Sequence, residues 1–122
     1  MKVFVSGHRD LTMKEFNLHY YIELNLAMIN EDTIYVCDYE GADLLVQQYL
    51  DRQNYEDVIV VHMKDSPRNH VKRFQTLGGF DSDEERDSFC TKNTDYDIAW
   101  SRREGSGTHQ NILRRRLKDG IF

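Results

Sequence analysis

The chain predicts an α/β fold: a small Rossmann-like, doubly wound parallel sheet with helices on both faces. Three observations carry that expectation. Apolar, β-branched runs at residues 3–5, 33–37 and 57–62 alternate with segments of helical periodicity. The runs are apolar at nearly every position instead of every second one, as in strands covered on both faces. Each of the first two runs then gives way to a short polar turn, with glycine in it, that leads into a helix. The 122 residues are read as one domain, 1–122, long enough for a single core.

Taken in order, residues 3–5 (VFV) form the first strand, which ends in Ser6-Gly7. It is expected at the centre of the sheet, with residues 34–37 on one side and 96–100 on the other. Right-handed crossovers place the reversal of strand order beside it. Thr12 and Glu15 have the spacing of a capping box. Phe16, Tyr20, Leu24, Ala27 and Met28 then keep helical spacing to about Ile29. The run TIYVC (33–37) is the second strand; after Asp38-Tyr39-Glu40, Gly41-Ala42-Asp43 opens a helix carrying Leu45, Val46, Tyr49 and Leu50. DVIVVH (57–62) is the third and most strongly β-branched strand.

Residues 63–80 hold the only proline, Pro67, and the pair Gly78-Gly79, and read as a long surface excursion with a helical turn around 71–75. Such a segment is either a lid or binding loop, or disordered. Ser82 and Glu85 repeat the capping-box spacing before a helix to about Asn93. A strand at 96–100, a loop with two glycines and a helix opening near Thr108 follow. Lys118-Asp119-Gly120-Ile121-Phe122 reads as the start of another strand.

Composition narrows the function. A net charge of −5 argues against a nucleic-acid polymer as partner. No apolar run has the length of a membrane span, and the N-terminus lacks the apolar core of a signal peptide. Cys37 and Cys90 stand apart, with no CxxC or Cys/His cluster, and read as reduced thiols of a cytoplasmic protein. None of His8, His19, His62, His70 and His109 has metal-ligand spacing, and GxGxxG is absent, so neither a metal nor a dinucleotide cofactor is implied. Charge is uneven: between Arg102 and Lys118 six basic residues face one acid, a net +5 that leaves −10 for the remainder. Arg114, Arg115 and Arg116 are either a solvated helix face or a docking surface for an acidic partner. A homo-oligomer is compatible with the composition.

Three strand-to-helix turns, at residues 6–10, 38–43 and 101–108, fall on one edge of the inferred sheet. Ligands of open α/β sheets bind at that edge, where strand order reverses. In the last turn, Ser101, Gly105, Ser106, Gly107 and Thr108 lead into a helix N-terminus. Its free N–H groups and positive dipole end suit a phosphate or other anion. Glycine leaves no Cβ between chain and ligand. The same residues also suit a plain capped connection. Ser6, Gly7, His8 and Arg9 make a comparable turn, where His8, like His109, is a donor for phosphate. Tyr39 and Trp100 end strands on that edge and are read as stacking partners for a base, Trp100 alternatively as core.

The turn sequences SGHR, EGAD and ERD…TDYDIAW…GSGTHQNI, in this order over residues 2–112, resemble the SLOG superfamily. These are small Rossmann-like proteins that include the lonely-guy nucleotide phosphoribohydrolases, DprA-like proteins and a bacterial and phage YspA-like group. The resemblance implies a nucleotide-derived small molecule whose phosphate lies on Gly105, Ser106, Gly107 and Thr108. Arg86 then stands near sugar and phosphate; alternatively it pairs with Asp87 or Glu85. Gly41 and Asp43 complete the expected site.

The chain also departs from the pattern. Where the hydrolases carry an acidic pair, this sequence has His109, Gln110 and Asn111, and cleaving an N-glycosidic bond needs a carboxylate. Phosphoribohydrolase activity is therefore expected to be weak or absent unless Glu104 or Asp43 supplies one. Ligand binding, as sensor, carrier or sequestering protein, is the first reading and an N-glycosidic enzyme the second. An interaction protein with a vestigial cleft is the third.

Overall fold

In the computed structural model, which describes residues 1–121, five strands form one all-parallel sheet. They are β1 (Lys2–Ser6), β2 (Thr33–Cys37), β3 (Val58–Met63), β4 (Gln75–Phe80) and β5 (Tyr96–Ala99), in the spatial order β4-β3-β2-β1-β5. The helices are α1 (Met13–His19), α2 (Tyr21–Ile29), α3 (Ala42–Arg52), α4 (Asp83–Asn93) and α5 (Gly107–Asp119). The chain steps outward from β1 to β4 and then crosses back to place β5 on the other side of β1. Strand order therefore reverses between β1 and β5, as expected, and the two pair from Val3↔Tyr96 to Ser6↔Ala99.

Both faces are covered. Val3 and Val5 point into a core shared with Phe16, Leu24, Val46 and Leu50 from α1, α2 and α3. Phe4 points the other way, into a smaller cluster with Tyr35, Cys37, Val61 and Cys90 of α4. All three β1 residues are at most 1% exposed, which is why the run carries no polar alternation.

Several expectations need correction. β1 has the two predicted neighbours, but β2 is the middle strand, because the 63–80 excursion contains the edge strand β4. That strand is hard to see in QTLGGF, which is largely exposed and has two glycines. Gly78 is required there: a Cβ would come within 2.0 Å of the His62 ring. The rest of the excursion holds a single hydrogen-bonded turn where a helical turn was expected, closed by Phe74 N–H on Val71 O at 3.0 Å. It is also tied to the end of β2: Asp38 O accepts from Asn69 N–H, and the buried Gln47 amide bridges Cys37 O, Asn69 O and Val71 N–H.

The long first helix is interrupted at Tyr20, whose phenol donates to Ser6 O at 2.8 Å and accepts from Trp100 N–H at 3.1 Å. The Thr12–Glu15 capping box forms in full; at α4 the Ser82 half forms, while the Glu85 carboxylate takes the N–H of Asp81. Finally, α5 runs to Asp119 and ends on Gly120 in the left-handed region (φ 73°), so residues 118–120 are no strand; Phe122 lies outside the described residues. Among the described residues no helix is long and apolar enough to cross a membrane.

Candidate functional site

At the carboxyl edge of the sheet, beside the reversal, lies a cleft of about 370 Å³, a size usual for small-molecule sites. The three predicted turns converge on it. The turn after β1 brings Ser6, Gly7, His8, Arg9 and Asp10; the end of β2 brings Cys37, Tyr39 and Glu40, and α3 adds Asp43. From α4 come Asp83, Arg86 and Asp87, and from α5 and its turn Arg103, Ser106, Gly107, Thr108 and Asn111.

Gly41, Trp100, Ser101 and Gly105 do not line the cleft; they hold its walls in place. Gly41 (φ 73°) sits so close to the first turn that a Cβ would fall 2.1 Å from Arg9 O, and the next N–H, of Ala42, donates to His8 O. Ser101 Oγ lies 2.9 Å from Ser106 Oγ and donates to Arg103 O, while Gly105 N–H donates to His109 Nδ1. Trp100 turns away from the cleft and stacks on His19 with ring centroids 4.0 Å apart. Tyr39 is the aromatic that reaches the cleft, and Arg68 covers its ring at 4.6 Å.

The cap of α5 is Ser106, not Thr108: its Oγ accepts from His109 N–H at 3.1 Å. That leaves the N–H groups of Gly107 and Thr108, the first two of the helix, without intrahelical acceptors. Gly107 has open space where a Cβ would project. Ser6 Oγ is buried, its residue lines the same cleft, and among the described residues it has no hydrogen-bond partner. Each histidine accepts a backbone N–H at one ring nitrogen, which leaves the ring N–H on the other, His8 Nδ1 and His109 Nε2. His8 Nε2 accepts from Arg102 N–H at 2.8 Å, and burial, followed by the charges of Arg102 and Arg103, lowers its pKa and keeps the ring neutral. His109 Nδ1 is taken by Gly105.

The floor is acidic and tightly wired. Arg86, 5% exposed, places Nη1 2.9 Å from Oδ1 of both Asp38 and Asp83, and Nε and Nη2 at 3.1 and 3.0 Å from Asp87 Oδ1. The neighbouring-acid alternative thus holds for Asp87, and the guanidinium is committed to three carboxylates instead of facing a phosphate. Arg68 adds bonds to Asp38 and Asp83 at 3.0 and 2.9 Å. Burial pushes the Asp38 carboxyl up, and the Arg68 hydrogen bonds with the Arg68 and Arg86 charges outweigh it, holding it below its usual range. Asp87 also accepts from Cys37 Sγ (3.6 Å) and Asn111 Nδ2 (3.1 Å).

Asp43 is the exception. It is 7% exposed and makes no ion pair among the described residues; Oδ2 accepts one hydrogen bond, from Tyr39 N–H at 3.1 Å. Burial pushes its pKa up to about 7, with the Arg86 charge opposing and Asp87 and Asp38 adding to the rise. Of the two carboxylates considered for the missing acidic pair, Asp43 stands in the cleft and the exposed Glu104 does not.

The basic C-terminal segment is largely internal wiring. Arg102 pairs with Glu15 at 2.8 Å and Asp10 at 3.1 Å, stapling the 101–106 loop to α1. Arg115 is buried against Asp97 and Thr94 O, so the solvated face does not include it. Sequence reasoning missed Asp38, Asp83 and Tyr20 as site builders, and saw Asp87 only as an alternative partner for Arg86. A signal for two existed: Asp83, Arg86 and Asp87 share one helix face at i, i+3, i+4. Comparison with protein-family models, curated proteins and solved structures yields no match for this chain.

Proposed function

We propose that the protein binds a nucleotide or nucleotide-derived phosphate ligand in this cleft, as a sensor, carrier or sequestering protein. One observation carries the reading: unclaimed N–H groups of the α5 N-terminus meet an unpartnered buried Ser6 hydroxyl in a single cleft at the reversal of strand order. Arg9 and Arg103, both exposed at the rim, add cationic donors for the phosphate. In the same cleft the Asp43 carboxyl accepts hydroxyl donors, which suits a sugar. The resemblance to the SLOG superfamily points the same way.

A second reading, an N-glycosidic hydrolase or transferase, is favoured by Asp43, a carboxyl whose pKa near 7 is that of a general acid or base. It lacks the acidic pair, replaced by Gln110 and Asn111. Thermal shift with AMP, GMP, CMP, UMP and their diphosphates tests binding, and chromatography for free base tests turnover. At a concentration of 100 Kd a true ligand stabilises by about 2.7 kcal/mol, and Arg9→Ala weakens it about tenfold. A panel without any shift at millimolar concentration overturns the reading; free base released at ordinary enzyme rates replaces it with the second.

A further inference from the structure

This inference rests on the proposed anion site. Asp43, Asp83, Asp87 and Arg86 line the cleft, and the buried Asp38 with Arg68 extends the ion-pair network from it. The ion pairs are unevenly shared: Asp38 and Asp83 each take both arginines and Asp87 takes Arg86, while Asp43 takes none. Asp43 faces the same cleft as the α5 N-terminus and is buried from bulk water. An anion seated there shares the cleft with a carboxylate that has no ion pair of its own among the described residues, and little solvent screens the repulsion.

The other groups around Asp43 do not relieve this. From the β1 turn come the neutral His8 and the exposed pair Arg9 and Asp10, of which Asp10 is bound to Arg102. The end of β2 contributes Cys37, whose thiol is kept protonated by burial, with Tyr39 and the exposed Glu40. Arg103 reaches the rim from the α5 turn. We propose that Asp43 is the proton-taking partner of the ligand. A phosphate group settling on the α5 N-terminus draws one proton from solvent onto the Asp43 carboxylate, which becomes a neutral carboxyl. Occupancy of the cleft and pH are thereby linked, one proton per anion. The protonated carboxyl also gains a hydrogen to donate to the ligand, a role no carboxylate on the floor otherwise has.

Inorganic sulfate is the probe, because it stays a dianion across the range where phosphate itself titrates. Binding is followed by NMR at the Gly107 and Thr108 amides between pH 6 and 8.5, and protonation at the Asp43 carboxyl carbon. The expected result has three parts. Wild-type affinity falls towards tenfold per pH unit once Asp43 ionises, added sulfate moves the Asp43 midpoint upward, and Asp43→Asn binds with a flat profile. The wild-type carboxyl signal decides the matter even if the variant folds poorly. Amide shifts with the same flat profile in both proteins, or an Asp43 signal indifferent to sulfate, overturn the proton linkage and leave the anion site standing. Amides that ignore sulfate at every pH overturn the anion site, and the linkage with it.

Discussion

Replacing Asp43 with asparagine tests the electrostatics of the floor without any ligand. The wild-type carboxyl has a folded pKa of about 7 against an ordinary 3.8, so the folded protein holds the proton more tightly than the unfolded chain. The sign follows from linkage: below about pH 4 both states are protonated and the group contributes nothing. Between pH 4 and 7 stability falls as pH rises, by about 1.4 kcal/mol per unit, and above 7 the penalty is constant. Its full size is the three-unit shift, about 4 kcal/mol. Asparagine keeps an oxygen for Tyr39 N–H and carries no charge, so it escapes the penalty. The stability difference between variant and wild type should therefore grow by about 2.7 kcal/mol between pH 5 and pH 8, two units of titration. Shifts at His8 or at the lowered carboxyls Asp10, Glu15 and Asp38 are common to both proteins and cancel in the difference. Urea denaturation at half-unit pH steps measures it. A difference that stays level from pH 5 to 8 refutes the reasoning, because Asp43 would then be ionised throughout and screened by something other than burial.

Two more substitutions separate binding from folding. Tyr20→Phe removes the one hydroxyl that joins Ser6 O of β1 to Trp100 N–H beyond β5; a loss of about 1–3 kcal/mol is expected by urea denaturation, with ligand affinity reduced because the cleft opens between those strand ends. Gly107→Val should leave the melting temperature nearly unchanged, since beyond its own stretch of helix no described residue lies within 4 Å of the new Cβ, yet abolish the thermal shift by ligand; a variant that still binds moves the phosphate elsewhere.

How much of this was legible in the chain varies by element. Apolar runs at 3–5, 33–37 and 57–62 mark strands covered on both faces, and short capping signals at Thr12 and Ser82 start helices, because backbone and desolvation demands act locally on the residues themselves. The three turns at one sheet edge follow from parallel topology, so eight of the named site residues, from Ser6 to Thr108, could be placed at the cleft before any coordinates. Edge strand β4 escaped because an exposed strand buries little and needs no hydrophobic pattern.

Side-chain pairing was the other thing hidden. Arg86 looked like a ligand group and proves to be counter-ion to Asp38, Asp83 and Asp87, two of which stand three residues before it and one after, while Asp38 is 48 positions away. Asp43 differs from its neighbours in having no ion pair among the described residues, with Arg86 acting on it only at a distance, a property of the space around it and not of the GAD sequence it sits in. Hydrophobic periodicity is summed along the chain and can be read there. A charge feels every group within several ångströms whatever its number, so the protonation of the cleft and the partners of its arginines were decided only when the chain had closed on itself.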